Sequence, residues 1–185
     1  MIHDRIKTVI SEISTALEQM SPDEVESICA LIADARRVYV AGAGRSGYMM
    51  RAFAMRLMHL GIETYYIGDT TTPGAEENDV LIIGSGSGET NSLKGYAVQA
   101  RTIGLKIALI TSSSHSALME LADVSLKIPA PTPKNQNGSG FDSAQPMANL
   151  FEQCLLITCD VLVLMLMEKK MTNSKKMFQH HANLE

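Results

Sequence analysis

The first twenty residues place Ile2, Ile6, Val9, Ile10, Ile13, Leu17 and Met20 at three- and four-residue intervals, the spacing that lines one face of a helix. Ser21-Pro22-Asp23-Glu24 then restarts a helix. Ser21 is a good N-cap, Pro22 suits the first helical position because no N–H is needed there, and Glu24 completes a capping box. Val25, Ile28, Leu31 and Ile32 give this second helix its apolar face. From residue 37 the period changes. Short apolar runs at residues 37–40 (RVYV), 63–67 (ETYYI), 79–83 (DVLII), 106–110 (KIALI) and 124–128 read as strands. Helical segments separate them, with Gly61 and Gly104 as stops, and the run at 111–114 (TSSS) opens a short helix. Residues 129–145 are rich in Pro, Gly, Asn and Ser and form a long connection of the kind that carries function or moves. They deliver the chain to Pro146, which suits the first turn of a final helix running to about Met171. Strands alternating with helices imply right-handed βαβ units, and strands apolar on both sides need cover on both faces. The pattern therefore predicts an α/β fold, a three-layer αβα sandwich on a five-stranded parallel sheet, in one domain over residues 1–185.

Composition adds exclusions. A chain of 185 residues fits one domain, long enough to bury about 70% of its unfolded surface. Its net charge of −4 gives no footprint for nucleic acid. Cys29, Cys154 and Cys159 form no CxxC pair and sit in apolar surroundings, which points to buried free thiols in a reducing cytoplasm. Met1-Ile-His-Asp-Arg carries charge where a signal peptide needs an apolar core. The apolar run at 155–167 contains Asp160 and is too short to span a bilayer, so it reads as a buried helix and no membrane is expected as a partner.

In an open parallel sheet, ligands bind beyond the carboxyl ends of the strands. Three loops there consist of small residues and open helices: 42–47, 84–90 and 111–114. Backbone N–H groups at such helix starts favour an anion. Gly84-Ser-Gly-Ser-Gly-Glu-Thr90 is the richest, with three hydroxyls around its glycines, a phosphate cradle without a lysine. Tight turns and helix caps also use these residue types. Gly42-Ala-Gly44-Arg-Ser-Gly47 matches the dinucleotide fingerprint GxGxxG, but Glu63 lies at the start of the second strand and Asp69 past its end, so neither suits a ribose. Neither loop has the Gly-Lys-Ser/Thr ending of a P-loop.

Those two glycine-rich loops, the Ser143-Ala-Gln-Pro-Met147 turn and Leu150-Phe-Glu-Gln153 resemble the phosphosugar-isomerase (SIS) domain, a flavodoxin-like fold. The ending His181-Ala-Asn-Leu-Glu185 narrows the resemblance to the 6-phospho-3-hexuloisomerase family; Ala148 stands where glycine is usual and His180 where arginine is usual. The resemblance implies interconversion of D-arabino-hex-3-ulose 6-phosphate and D-fructose 6-phosphate through a cis-enediol. It also implies a cytoplasmic homotetramer that needs no metal or other cofactor. It assigns the base to Glu152 and an acid–base partner to His181, with Gly44, Ser46, Ser85, Gly86, Ser87 and Thr90 holding the sugar phosphate. The field of a helix N-terminus favours a carboxylate at Glu152, and Phe151 can keep water away. The neighbours His180 and His181 diverge and make a poor chelate, so no metal site is expected. Roles for Arg45, Arg51 and Arg56 stay open, and His59 and His115 read as packed or exposed. A long final helix separates Glu152 from His181, so delivery of His181 from a neighbouring subunit is the simpler geometry. A sugar-phosphate sensor on the same fold, a dinucleotide binder and other phosphosugar isomerases are the alternatives.

Overall fold

The structure, a computed structural model, describes residues 1–132 and 142–184. Most of the connection read at 129–145 therefore lies outside the described residues. Helix α1 (Ile2–Glu18) buries Ala16, while Ile2, Ile6 and Ile10 on its apolar stripe stand exposed. Helix α2 (Pro22–Asp34) starts as its sequence demands, with Ser21 Oγ accepting from the Glu24 N–H at 3.4 Å. The reciprocal half of the capping box is not made. Glu24 Oε2 instead accepts from the Lys127 N–H at 2.9 Å, on strand β5 (Val124–Lys127). The reason is positional: β5 is an edge strand, and an N–H on its open side has no ladder partner.

The other strands are β1 (Val38–Gly42), β2 (Thr64–Tyr66), β3 (Val80–Gly84) and β4 (Lys106–Thr111). All pair in parallel in the order β2-β1-β3-β4-β5. Most of these strands start or end a residue or so away from where the apolar runs do. Pairing is a backbone property, and it carries β1 two residues and β3 one residue further, into register at Gly42 and Gly84. The order reverses between β1 and β3, which opens a crevice at their carboxyl ends.

Helices α3 (Gly44–His59) and α6 (Asn149–Lys169) join α1 and α2 on one face of the sheet, around Ile28, Phe53, Phe151 and Leu155. Helices α4 (Asn91–Ile103) and α5 (Ala117–Leu121) cover the other, around Leu81, Leu93 and Leu118. A β-carbon at Gly42 would stand 2.9 Å from the Gly47 Cα, so the glycines of the first loop let α3 lie against β1. The helix read from Thr111 begins instead at Ala117, capped by Ser116 Oγ accepting from the Met119 N–H at 3.2 Å. Thr111 still belongs to β4, because its backbone keeps pairing. Likewise α6 starts three residues after Pro146, because Met147 takes a left-handed φ of 58° that a helix cannot continue through.

By length and composition α6 could cross a membrane. Here it is a core helix: Cys154, Leu155, Cys159 and Leu162 are buried against α1, α2 and α3, while Ile157, Val161 and Leu164 face outward. Cys29, Cys154 and Cys159 are free and buried as expected. The polar stretch after α6 interrupts the helix. Asn173 caps α7 (Ser174–Met177), and a short 3-10 turn (Phe178–His180) follows.

Candidate active site

At the crevice between β1 and β3 lies a cavity of about 260 Å³. The loop after β3 forms its floor. Ser85 Oγ accepts from the Gly88 N–H at 3.2 Å, and Ser87 Oγ accepts from the Glu89 N–H at 3.2 Å. Gly88 must be glycine: its φ is +66° and a β-carbon would stand 2.1 Å from Ser116 Oγ. Thr90 is the N-cap residue of α4, yet its side chain makes no cap bond and lines the cavity. Helix capping therefore does not account for this hydroxyl. The third polar loop plays a different part from the other two. Thr111 Oγ1 and Ser112 Oγ donate to the Gly86 carbonyl at 3.2 and 2.8 Å, and the Ser112 N–H does so at 3.1 Å. Thr111 and Ser112 thus brace the loop at 84–90, and residues 111–114 do not line the cavity.

Glu152 closes the opposite side. It lies in the first turn of α6, buried, beside the fully buried Phe151. Arg45 Nη1 donates to its Oε2 at 2.7 Å, and the same nitrogen bonds Asn149 Oδ1. The Arg45 side chain is 46% exposed, and a half-exposed pair contributes only about 0–1 kcal/mol to stability. What the pair does is hold one carboxylate oxygen in place. Ser46, Ser85, Gly86, Ser87, Thr90 and Glu152 all line this one cavity.

Two expected residues do not. Gly44 makes the left-handed turn that starts α3, at φ +57°, and is not part of the cavity lining. His181 lines another cavity, of about 460 Å³, together with Arg56, His59 and Asp160. Its ring stacks on His59 and on Phe178, with centroids 5.4 Å apart in each case, and the Ala182 carbonyl accepts from its Nδ1 at 2.9 Å. His59 is the last residue of α3 and Ser46 is near its start, which separates them by about 20 Å along the helix. In one chain His181 therefore sits at the far end of α3 from Glu152. His59 is packed, as read. Burial, with Arg56, His181 and His180 nearby, pushes its imidazole below the usual histidine range.

Arg51 pairs with Asp69 at 2.7 Å and lies over the Tyr66 ring, and Arg56 bonds the His59 ring. Glu63 pairs with Arg37. The acidic residues weighed for a ribose are thus engaged elsewhere. Among the described residues no group of three or more His, Cys, Asp or Glu side chains is placed to hold a metal ion.

Sequence reasoning missed Thr132. It is 4% exposed, lines the cavity, and its Oγ1 has no hydrogen-bond partner among the described residues. A lone threonine after the fifth strand carried no signal beyond its place at the carboxyl side of the sheet.

Residues 31–165 match the SIS domain family. The chain is 40% identical to the 3-hexulose-6-phosphate isomerase of Bacillus subtilis (strain 168), covering 97% of each chain. It is 36% identical to that of Mycobacterium gastri, covering 100% of this chain and 92% of the relative. Among solved structures, a Methanococcus jannaschii protein, whose structure infers a molecular function of 3-hexulose-6-phosphate isomerase, superposes with a TM-score of 0.84. That pair is 31% identical and covers 98% of this chain and 99% of the other. The family match and near-full-length identity at this level place the chain in the SIS domain family, among the 3-hexulose-6-phosphate isomerases.

Proposed function

We propose that this chain interconverts D-arabino-hex-3-ulose 6-phosphate and D-fructose 6-phosphate, with Glu152 as the base. The observation that carries the reading is the placement of Glu152 across one cavity from the hydroxyl-bearing loop of Ser85, Ser87 and Thr90. The loop holds the phosphate through hydroxyls, glycine N–H groups and the start of α4. The carboxylate takes the proton from C2 of the 3-ketose, which makes a cis-enediol. It returns the proton to C3, which leaves the carbonyl at C2. Arg45 keeps Oε2 fixed during both transfers, and Phe151 keeps water from the carboxylate. Ser46 and Thr132 are the remaining polar contacts available to the sugar.

His181 is the acid–base partner, and it comes from another subunit. A 3-ketose phosphorylated at O6 has no hydroxyl that closes an unstrained ring, so it arrives open-chain. In that direction His181 moves protons between the enediol oxygens, and from fructose 6-phosphate it opens the ring. The assembly is a homotetramer. Ile2, Ile6 and Ile10 on α1 and Ile157, Val161 and Leu164 on α6 are exposed, and each gains about 1.5–3 kcal/mol when fully buried. The enzyme works in the cytoplasm, in the ribulose monophosphate route of formaldehyde fixation, and uses no metal. Incubating the protein with fructose 6-phosphate and following it by carbon NMR should produce the 3-ketose. A spectrum that stays that of fructose 6-phosphate would refute the assignment.

A further inference from the structure

The Ser143-Ala-Gln-Pro-Met147 turn carries much of the family resemblance, yet neither Ser143 nor Gln145 lines the cavity. Their partner is a carboxylate on the first helix. Ser143 Oγ donates to Glu12 Oε2 at 2.6 Å, the Ala144 N–H to Oε1 at 2.8 Å, and Gln145 Nε2 to Oε2 at 3.1 Å. The Ser143 hydroxyl also accepts from the Gln145 N–H at 3.1 Å, so the turn is closed on itself as well as on Glu12.

We propose that Glu12 is a positioning residue for the active site, which fixes the 143–145 turn and through it the cavity wall and the helix start that carries Glu152. Three donors from three consecutive residues converge on one carboxylate only if the turn has a single shape. No cation pairs with Glu12 among the described residues. Among the described residues its charge is met by these dipoles. Burial works against the charged form, but the bonds from Ser143, Ala144 and Gln145 outweigh it and hold the group below the usual carboxylate range. From the turn the path to the site is short. Met147 and Ala148 line the cavity, the Asn149 N–H bonds the Pro146 carbonyl, and the Glu152 N–H bonds the Ala148 carbonyl. Asn149 also shares Arg45 with Glu152. Displacing the turn moves the start of α6, and with it Glu152 and Asn149, relative to Arg45 on α3 and to the loop at 84–90.

The inference rests on Glu152 as the base, and its test separates the two. Glu12→Gln keeps the size and turns one acceptor into a donor that faces donors. It should lower kcat roughly tenfold to a hundredfold, the cost of hydrogen bonds to a charged group. The inhibition constant of inorganic phosphate should not change, because Ser85, Ser87 and Thr90 keep their geometry. Amide exchange across 142–152 should quicken. Ser143→Ala should give a smaller loss of kcat, and the double variant should be no worse than Glu12→Gln alone, because both remove one unit. Glu12→Asp should recover part of the rate. Glu18→Gln, on the same helix and bonded among the described residues to Ser14, should be neutral. Unchanged kcat in Glu12→Gln would overturn the proposal, as would phosphate affinity falling together with kcat and Tm, the mark of a purely structural contact. If Glu152→Gln stays active the base is elsewhere, and exchange across 142–152, which needs no catalysis, still decides whether Glu12 holds the turn.

Discussion

The two ends of α3 hold two kinds of site. At its N-terminal end, loops, a helix start and a carboxylate converge on one cavity, and the groups that shape it are bonded to one another within the chain. At its C-terminal end, His59, His181 and Phe178 stack at the rim of an open cavity, on a tail held by ring contacts and a short turn. The first region is finished by folding. The second holds an exposed histidine, His181, whose ring stacks on His59 and Phe178. Under the proposal that His181 serves a neighbouring subunit, the first region tests the fold of one chain and the second tests assembly.

The largest effect expected in the first region is at Glu152, the proposed base. Glu152→Gln keeps the shape and should lower turnover by about a hundredfold to ten-thousandfold, as expected for one positioned base. Inorganic phosphate should still compete. A variant retaining most of its activity would move the base elsewhere.

The second region is tested by mixing. Glu152→Gln and His181→Ala subunits, each assayed from fructose 6-phosphate and inactive alone, are dissociated and reassociated together. Random exchange should restore about a quarter of the wild-type activity per site, since each restored site needs one intact group from each parent. Mixed oligomers verified by mass spectrometry that stay inactive would put both residues in one chain's site.

Ser87→Ala and Thr90→Ala should raise KM by roughly tenfold to a hundredfold each, the loss of one hydrogen bond to a charged group. Turnover at saturation should change less. An unchanged KM in both would remove this loop as the phosphate cradle.

The smallest effect concerns the packed imidazole. The pKa of His59 in the folded chain lies below its ordinary value of 6.5, so the unfolded chain binds more protons as pH falls past that value. Stability contributed by neutral His59 is present above pH 6.5 and is lost as pH drops toward the folded value. His59→Gln should flatten the corresponding slope of Tm against pH below about 6.5. An identical slope in the variant would mean that other groups set it.

The sequence made the layers and the crevice legible because both are written in side chains: apolar runs, helical spacing, glycines ahead of helices. It was weaker wherever the backbone or a distant partner decides. Gly42 and Gly84 have no side chain to pattern, yet they pair. Glu24 looked like half of a capping box, but an edge-strand N–H more than a hundred residues away claims it. Residues 111–114 looked like a third ligand loop because hydroxyls that brace a carbonyl and hydroxyls that bind a phosphate are the same residues. Glu12 gave no signal at all, since its meaning lies in a turn 131 residues further on.

The buried thiols have a practical side. Cys154 lies on α6, two residues after Glu152, with its thiol pushed up to about 12 by burial. A thiol so rarely ionised and so well covered reacts with an alkylating reagent only when α6 lifts from the core. The rate of labelling is thus a clock for excursions of α6, readable by mass spectrometry in the unmodified protein, with substrate present or absent.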